Sequence, residues 1–346
     1  MEIEFDDPGG DWTRPGVFEV SAGVYRIPLP LPSDGLRAVN VYALRTRTGL
    51  VVVDSGWALA EAREAMKAAL GALDCGFGDV DRYLITHVHR DHYTMAVLLR
   101  REFGSRILLG RGEEASLRHA RDANADPWGG LRLQLRRAGA DDLSDRLTEE
   151  LPPSHVISDW EPPDEWVDAP VPVKVGDRAL QAIATPGHTQ GHVVFLDSER
   201  GDLYAGDHVL PHITPSIGFE PAPAASPLRD YLRSLRAVRA LPDQRFLPAH
   251  GPVSPSTHRR IDQLLDHHGR RLDEIAAVVE AGCDTARLVA GRLGWTRRNR
   301  RIEDLDLFNQ CLAVTETLAH LDVLVEQGRL TRTADGTVEA GLYTPA

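Results

Sequence analysis

The chain has 346 residues, 42% hydrophobic and 26% charged, with 39 Lys+Arg against 51 Asp+Glu and a net charge of -12. These values are those of a soluble globular protein rather than a disordered, collagenous or membrane-spanning one. The acidic balance also lacks the overall electrostatic footprint of a general binder of nucleic acid or anionic membrane. Only Lys67 and Lys174 are lysines, so no single arginine is informative, and Cys75, Cys283 and Cys311 lie too far apart for a CxxC pair or a disulfide framework.

The first residues, MEIEFDDPGGDW, have neither the basic nor the apolar block of a secretory signal, and no apolar run approaches about 18 residues. The expectation is a cytoplasmic protein with no membrane partner. From residue 16 to about 54, GVFEVSAG, VYRIPLPL, AVNVYALRT and GLVVVD read as short strands of a meander separated by Gly, Pro and Asp-Gly. Apolar residues at helical spacing follow over 58–73, then the strand VDRYLIT over 80–86, a helix over about 93–103 and the strand RILLG. Residues 111–165 break this alternation, being Arg- and Glu-rich with helical stretches and ending in PPSHVISDWEPPDEW. They read as an insertion packed over one end of the sheets.

Strands resume with APVPVKVG, RALQAIATP, HVVFLDS and GDLYAGD, and a helix over 228–241 leads to RFLPAH. Strands and helices interleaved twice over predict a sandwich of mixed sheets with helices outside. Beyond HGPVSPST come three helical stretches and the hairpin RLTRTADGTVEAGLY, the order of a winged helix-turn-helix. The division expected is therefore 1–254 and 255–346, the second part carrying 12 Arg against 14 Asp+Glu.

The strongest chemical signal is Thr86-His87-Val88-His89-Arg90-Asp91-His92, set where a strand ends and a helix begins. Residues two apart on an extended turn can aim two imidazoles at one point, while the next Asp and His, at the helix start, face a neighbouring one. Imidazole and carboxylate without thiolate suit zinc, and equally iron or manganese. One motif has too few ligands for two ions. Three further motifs at strand ends offer more: TPGHTQGH with His188, AGDH with Asp207 and PAHGP with His250.

Taken in this order, THxHxDH, PGHTxGH, GDH and PAHGP over roughly residues 17–254 resemble the metallo-β-lactamase superfamily, on the side of its glyoxalase II, lactonase and thioesterase-like branches. The resemblance implies an α/β fold, an αββα sandwich with a dinuclear centre at the edge between two sheets. His87, His89 and His188 would hold one divalent ion, Asp91, His92 and His250 the other, and Asp207 would bridge them; zinc is the expected metal. Asp54 in VVVDSG would lie beneath the site and orient an imidazole. The tail resembles the winged-helix domain that follows the hydrolase core in one branch. Two departures stand out: Asp91-His92-Tyr93-Thr94-Met95 replaces the small residues usual in DHxGG and predicts a bulkier wall, and the 111–165 insertion is unlike a compact core.

The reaction expected is hydrolysis by a metal-bridging hydroxide, with Asp91 orienting it and carrying a proton to the leaving group, on a small or medium-sized thioester, ester or lactone. Tyr93, His208, His212 and Tyr231 are candidate substrate contacts. His192 reads as a buttress of its loop, and His267-His268 as solvated or capping residues. Alternatives are a phosphodiesterase or ribonuclease using the basic run 297–301, and a non-catalytic nucleic-acid-binding or scaffold protein. An iron oxygenase using only His87, His89 and His188 is disfavoured because a second ligand set is present. Nucleic acid is not the expected partner, since residues 305–327, in the place of a recognition helix, have no Lys or Arg but carry Asp306, Glu316, Asp322 and Glu326. A small molecule is, and self-association stays open. No GxSxG, P-loop or GxGxxG supports another scheme.

Overall fold

The structure is a computed structural model that describes residues 2–32, 35–122, 125–151, 159–296, 298–334 and 340–346. Its first sheet takes eight strands in chain order: β1 (Ile3–Phe5), β2 (Val17–Ser21), β3 (Val24–Pro30), β4 (Ala38–Arg45), β5 (Leu50–Val53), β6 (Val80–Ile85), β7 (Arg106–Gly110) and β8 (Glu165–Val167). From β2 to β5 the pairing is the antiparallel meander expected of punctuated short strands. From β5 to β8 it is parallel, because α1 (Ala60–Ala72), α2 (Arg90–Phe103) and, between β7 and β8, the inserted segment carry the chain back between strands. The short edge strand β1, parallel to β2, has no counterpart in the sequence reading.

The second sheet has five strands in the order β13 (Arg245–Pro248), β12 (Asp202–Gly206), β11 (Val193–Asp197), β10 (Arg178–Ala184) and β9 (Val171–Val175). The inward-facing residues Val24, Leu44, Val53, Leu84, Phe195, Tyr204 and Leu247 form a core between the sheets. On the outer face of the first sheet, Ile27, Val41, Val52 and Ile85 pack against Met66, Leu70 and Val97 of α1 and α2. This is the α/β sandwich expected.

The insertion folds as α3 (Glu114–Arg121), α4 (Gly129–Arg137) and α5 (Asp141–Glu150); its PPSHVIS stretch lies outside the described residues. The tail folds as α7 (Thr257–Glu280), α8 (Ala286–Ala290), α9 (Leu307–Glu326) and the pair β14 (Leu330–Ala334) and β15 (Gly341–Pro345), after α6 (Pro227–Arg239). α4, α5, α6, α7 and α8 all pack on α9. One core runs from Leu131 and Leu135 through Val194 and Leu203 of the second sheet to Val314 and Leu318, so residues on both sides of the expected 254/255 division share it. Among the described residues no helix is long and apolar enough to cross a membrane, and the three cysteines form no disulfide.

Candidate metal centre

The site forms where β6, β12 and β13 reach their C-terminal ends and the chain leaves both sheets at one edge. After β6, Thr86 and His87 lead to His89, which is extended at φ -61° and ψ 150° and caps α2. The helix starts three residues earlier than its periodicity predicts, which places Asp91 and His92 in its first turn. The exposed amide dipoles there favour the Asp91 carboxylate. Asp207 follows β12 through Gly206, whose φ of +49° suits glycine and whose added Cβ would lie 2.7 Å from both Thr86 and His192. The remaining two ligand candidates, His188 and His250, lie in the β10–β11 loop and after β13.

The seven side chains converge in two groups, His87, His89, His188 with Asp207, and Asp91, His92 with His250; within each group one atom per residue lies within 4.8 Å of the others. His188 Nε2 is 3.2 Å from His87 Nε2, 3.0 Å from His89 Nδ1 and 3.4 Å from Asp207 Oδ2. The other oxygen, Oδ1, is 3.7 Å from His92 Nε2 and 3.5 Å from His250 Nε2, so Asp207 spans both groups. Asp91 Oδ2 closes the second group at 3.6 Å from His92 and 3.4 Å from His250.

The outer nitrogens decide which ring atoms face inward. Carbonyl oxygens only accept, so His188 Nδ1–H donates to Ser216 at 2.6 Å, His250 Nδ1–H to Ala38 at 2.8 Å and His89 Nε2–H to Phe219 at 2.7 Å. His92 Nδ1–H donates to Asp54 Oδ2 at 2.9 Å. Asp54, at φ +59°, also accepts the Thr86 N–H at 2.8 Å and the Thr86 hydroxyl at 3.0 Å, leaving that hydroxyl oxygen to accept His87 Nδ1–H at 3.1 Å. At His87, His89 and His188 the inward nitrogen then carries a lone pair. Lone pairs on three imidazoles, 3.0–3.2 Å apart with no proton between them, repel unless a cation sits among them.

The charges agree with that arrangement. Burial, then the neighbouring imidazoles, holds His87 well below its ordinary range, and burial with His188 holds His89 at about 3, so this half keeps neutral imidazoles. In the other half burial opposes charging, but Asp91, Asp54 and Asp207 outweigh it and push His92 up to about 10; burial likewise opposes Asp207 and Asp91, which raise His250. The carboxylates there demand positive charge. His92 Nε2, His250 Nε2 and Asp207 Oδ1 are nevertheless buried without a hydrogen-bond partner. Divalent cations fit this donor set.

The expected substrate contacts fare differently. Tyr93 is fully buried and its hydroxyl donates to the Glu161 carbonyl at 2.5 Å, while Thr94 and Met95 are equally buried, so the bulky wall predicted there packs into the core rather than lining an opening. Tyr231 and His208 are also buried, the Tyr231 hydroxyl being spent on the His208 carbonyl at 3.0 Å; the tyrosine supports the turn before His188 and is not offered to a substrate. His212 is exposed. His192 buttresses the centre, bonding Thr185 Oγ1 at 2.8 Å and accepting the Asp207 N–H at 3.2 Å. The His268 ring is not solvated as expected but buried, 3.1 Å from His320, because α9 covers α7.

Two buried carboxyls had no sequence signal. Glu113 accepts the Thr189 hydroxyl at 2.5 Å and bonds the Val88 backbone, tying the His188 loop to the segment between His87 and His89. Glu220 accepts from Ser116 Oγ at 2.9 Å and from the Gln190 N–H at 3.0 Å. Burial, aided by Glu220, raises Glu113 to about 8, and burial raises Glu220 to about 7. The two segments touch backbone to backbone: a Cβ at Gly191 would lie 2.2 Å from the Glu113 nitrogen.

The model of the metallo-beta-lactamase superfamily matches residues 34–250. The chain is 24% identical over 318 residues to the probable metallo-hydrolase YqjP of Bacillus subtilis, covering 90% of this chain and 94% of that one. It is 25% identical over 251 residues to the Beta-lactamase-like protein 2 homolog of Caenorhabditis elegans, covering 71% and 66% respectively. Over 106 residues, 31% of each chain, it is 28% identical to an atrochrysone carboxyl ACP thioesterase of Aspergillus fumigatus. Among solved structures, a Beta-lactamase domain protein from Burkholderia ambifaria matches with a TM-score of 0.79 at 28% identity, covering 95% of this chain and 94% of that one. A metallo-beta-lactamase family protein from Thermus thermophilus matches with a TM-score of 0.76 at 28% identity, covering 95% and 100%.

Proposed function

Because the chain belongs to the metallo-β-lactamase superfamily, we propose that it is a dinuclear metallo-hydrolase that cleaves a small or medium-sized thioester, ester or lactone. The observation that carries this is the convergence of seven ligand candidates, three of them imidazoles that meet with no proton between them, while His92 Nε2, His250 Nε2 and Asp207 Oδ1 are buried without a hydrogen-bond partner. His87, His89, His188 and Asp207 would hold one ion and Asp91, His92, His250 and Asp207 the other, zinc being the proposed metal. Such ions, when bound, lower the pKa of water and polarise a carbonyl.

The chain's own residues do the rest. Asp54 and Thr86 hold the His92 and His87 rings in register. Asp91 is half-buried, and burial is overcome by His92 and His250, which keep its carboxyl ionised far below the usual range. Ionised, it accepts a hydrogen bond from the attacking water and orients it, and, being a weak base, it gives up at once any proton that reaches it. As the water oxygen adds to the acyl carbon and the C–S or C–O bond breaks, that proton passes from the Asp91 carboxyl to the leaving atom. The named activity of the Aspergillus relative supports a thioester among the carbonyl substrates.

A phosphodiester is the second reading, favoured by a groove of about 560 Å³ between α7 and Arg292, Leu293, Gly294 and Asn299, with Arg270, Arg271 and Arg292 in its walls; Arg297 of the basic run lies outside the described residues. None of the metal-ligand candidates lines it. We propose that the tail, with its winged-helix order of elements, is architectural: α9 buries residues on most of its faces, including Val314, Leu318 and Leu321, and cannot enter a groove of DNA without unpacking. Elemental analysis of the purified protein, joined to a screen of acyl thioesters, lactones and a phosphodiester, tests the proposal. Two metals per chain with carbonyl-ester turnover support it. Turnover of the phosphodiester alone, or no metal after reconstitution, refutes it.

A further inference from the structure

The candidate centre meets solvent at His89 and Asp91. His87, His92, His188 and His250 are buried, whereas His89 and Asp91 keep partial exposure. There stands Phe219, whose carbonyl fixes the His89 ring and whose own ring lies 5.8 Å from it, centroid to centroid. From Phe219 the aromatic surface continues to Phe308 at 5.3 Å, with planes crossed at 81°, and from Phe308 to Trp128 at 6.0 Å and 53°. All three rings are half-buried. They come from three parts of the chain: the loop before α6, the first turn of α9 and the residue that precedes α4.

Each ring is held in place. Trp128 Nε1–H donates to the Leu151 carbonyl at 2.9 Å. Asp306 caps α9 by accepting the Asn309 N–H at 2.9 Å, which sets the turn carrying Phe308. The Phe219 loop is gripped by α4, since Gln134 Nε2–H donates to the Gly218 carbonyl at 3.2 Å and a Cβ on Gly130 would lie 2.5 Å from the Pro221 oxygen. A rigid row of tilted and crossed rings offers alternating faces and edges. A planar aromatic group meets both favourably through its quadrupole, which a flexible alkyl chain of the same size cannot do.

From this row we infer that the acyl group taken by the hydrolytic site is a planar aromatic one, seated against Phe219 and Phe308 with Trp128 at its far end, and that the tail completes substrate recognition through Phe308. The inference rests on the acyl-hydrolase reading. Its test uses the full, metal-loaded chain and two thioesters of N-acetylcysteamine with twelve acyl carbons and the same α-CH₂, 2-naphthylacetyl and dodecanoyl. The aryl thioester is expected to be preferred about tenfold in kcat/KM, chiefly through KM, and Phe308→Leu, which stays apolar, is expected to erase that ratio. Calorimetric binding of 2-naphthylacetate, which needs no turnover, should weaken about tenfold in the same variant. A ratio near one in the unaltered protein, or one unmoved in Phe308→Leu, overturns the aromatic preference while leaving the acyl-hydrolase reading intact. No turnover of either thioester, with 2-naphthylacetate still bound and weakened by Phe308→Leu, sinks the hydrolase reading and sustains the aromatic site.

Discussion

Replacing Glu113 by Gln should change how stability depends on pH. The carboxyl is fully buried, and burial with the nearby Glu220 raises its pKa from the ordinary 4.5 to about 8. A carboxyl raised in the folded state binds more protons there than in the unfolded chain, so its contribution is complete below 4.5 and is lost as pH rises through about 8. At about 1.4 kcal/mol per pK unit, the loss between pH 5 and 7 is about 2–3 kcal/mol, and by pH 9 about 4 kcal/mol. Glutamine keeps the shape and the hydrogen bond to Thr189 but has no proton to lose. Urea unfolding of the chelator-treated protein, followed across pH 5–9, should therefore show the variant gaining on the unaltered chain by that amount as pH rises. Parallel curves for the two proteins would show that Glu113 does not titrate in this window and would refute the account of the buried pair.

Asp54→Ala frees the His92 ring and should lower metal affinity or turnover roughly 10–100-fold, by the usual effect of losing a partner that orients a ligand; metal stoichiometry against free-metal concentration checks it. Asp207→Asn or His89→Ala should abolish turnover and lower metal content below two per chain while far-ultraviolet circular dichroism stays native, and full activity in either would remove the dinuclear mechanism. Gly191→Ala puts a Cβ 2.2 Å from the Glu113 backbone nitrogen, so thermal unfolding should reveal a loss of about 3 kcal/mol or more. Removing bound metal leaves inward lone pairs facing each other, and a chelator should lower the melting temperature of the unaltered chain more than that of Asp207→Asn.

The strand-and-helix alternation and the set of ligand candidates are legible in the amino-acid order because both are written at short range. A meander needs only alternating apolar residues and turn punctuation, and β2 to β5 follow it. A metal ligand of this kind must be His or Asp at a strand end, so HVHRDH, GHTQGH, GDH and AHGP stand out as residue types in short motifs. Meetings between distant segments, in contrast, exist only in the folded chain. His188 reaches His87 across 101 positions, and the lone-pair geometry that calls for a cation arises once both are in place. Tyr93 sits beside the ligands in sequence yet faces the other way, because consecutive helix residues point to different sides. Glu113 and Glu220 look like surface carboxylates until α3 and the loop before α6 close over them. Phe219, Phe308 and Trp128 follow no common motif, for a half-buried ring obeys no spacing rule and acquires its neighbours only when the insertion and the tail pack on the sandwich.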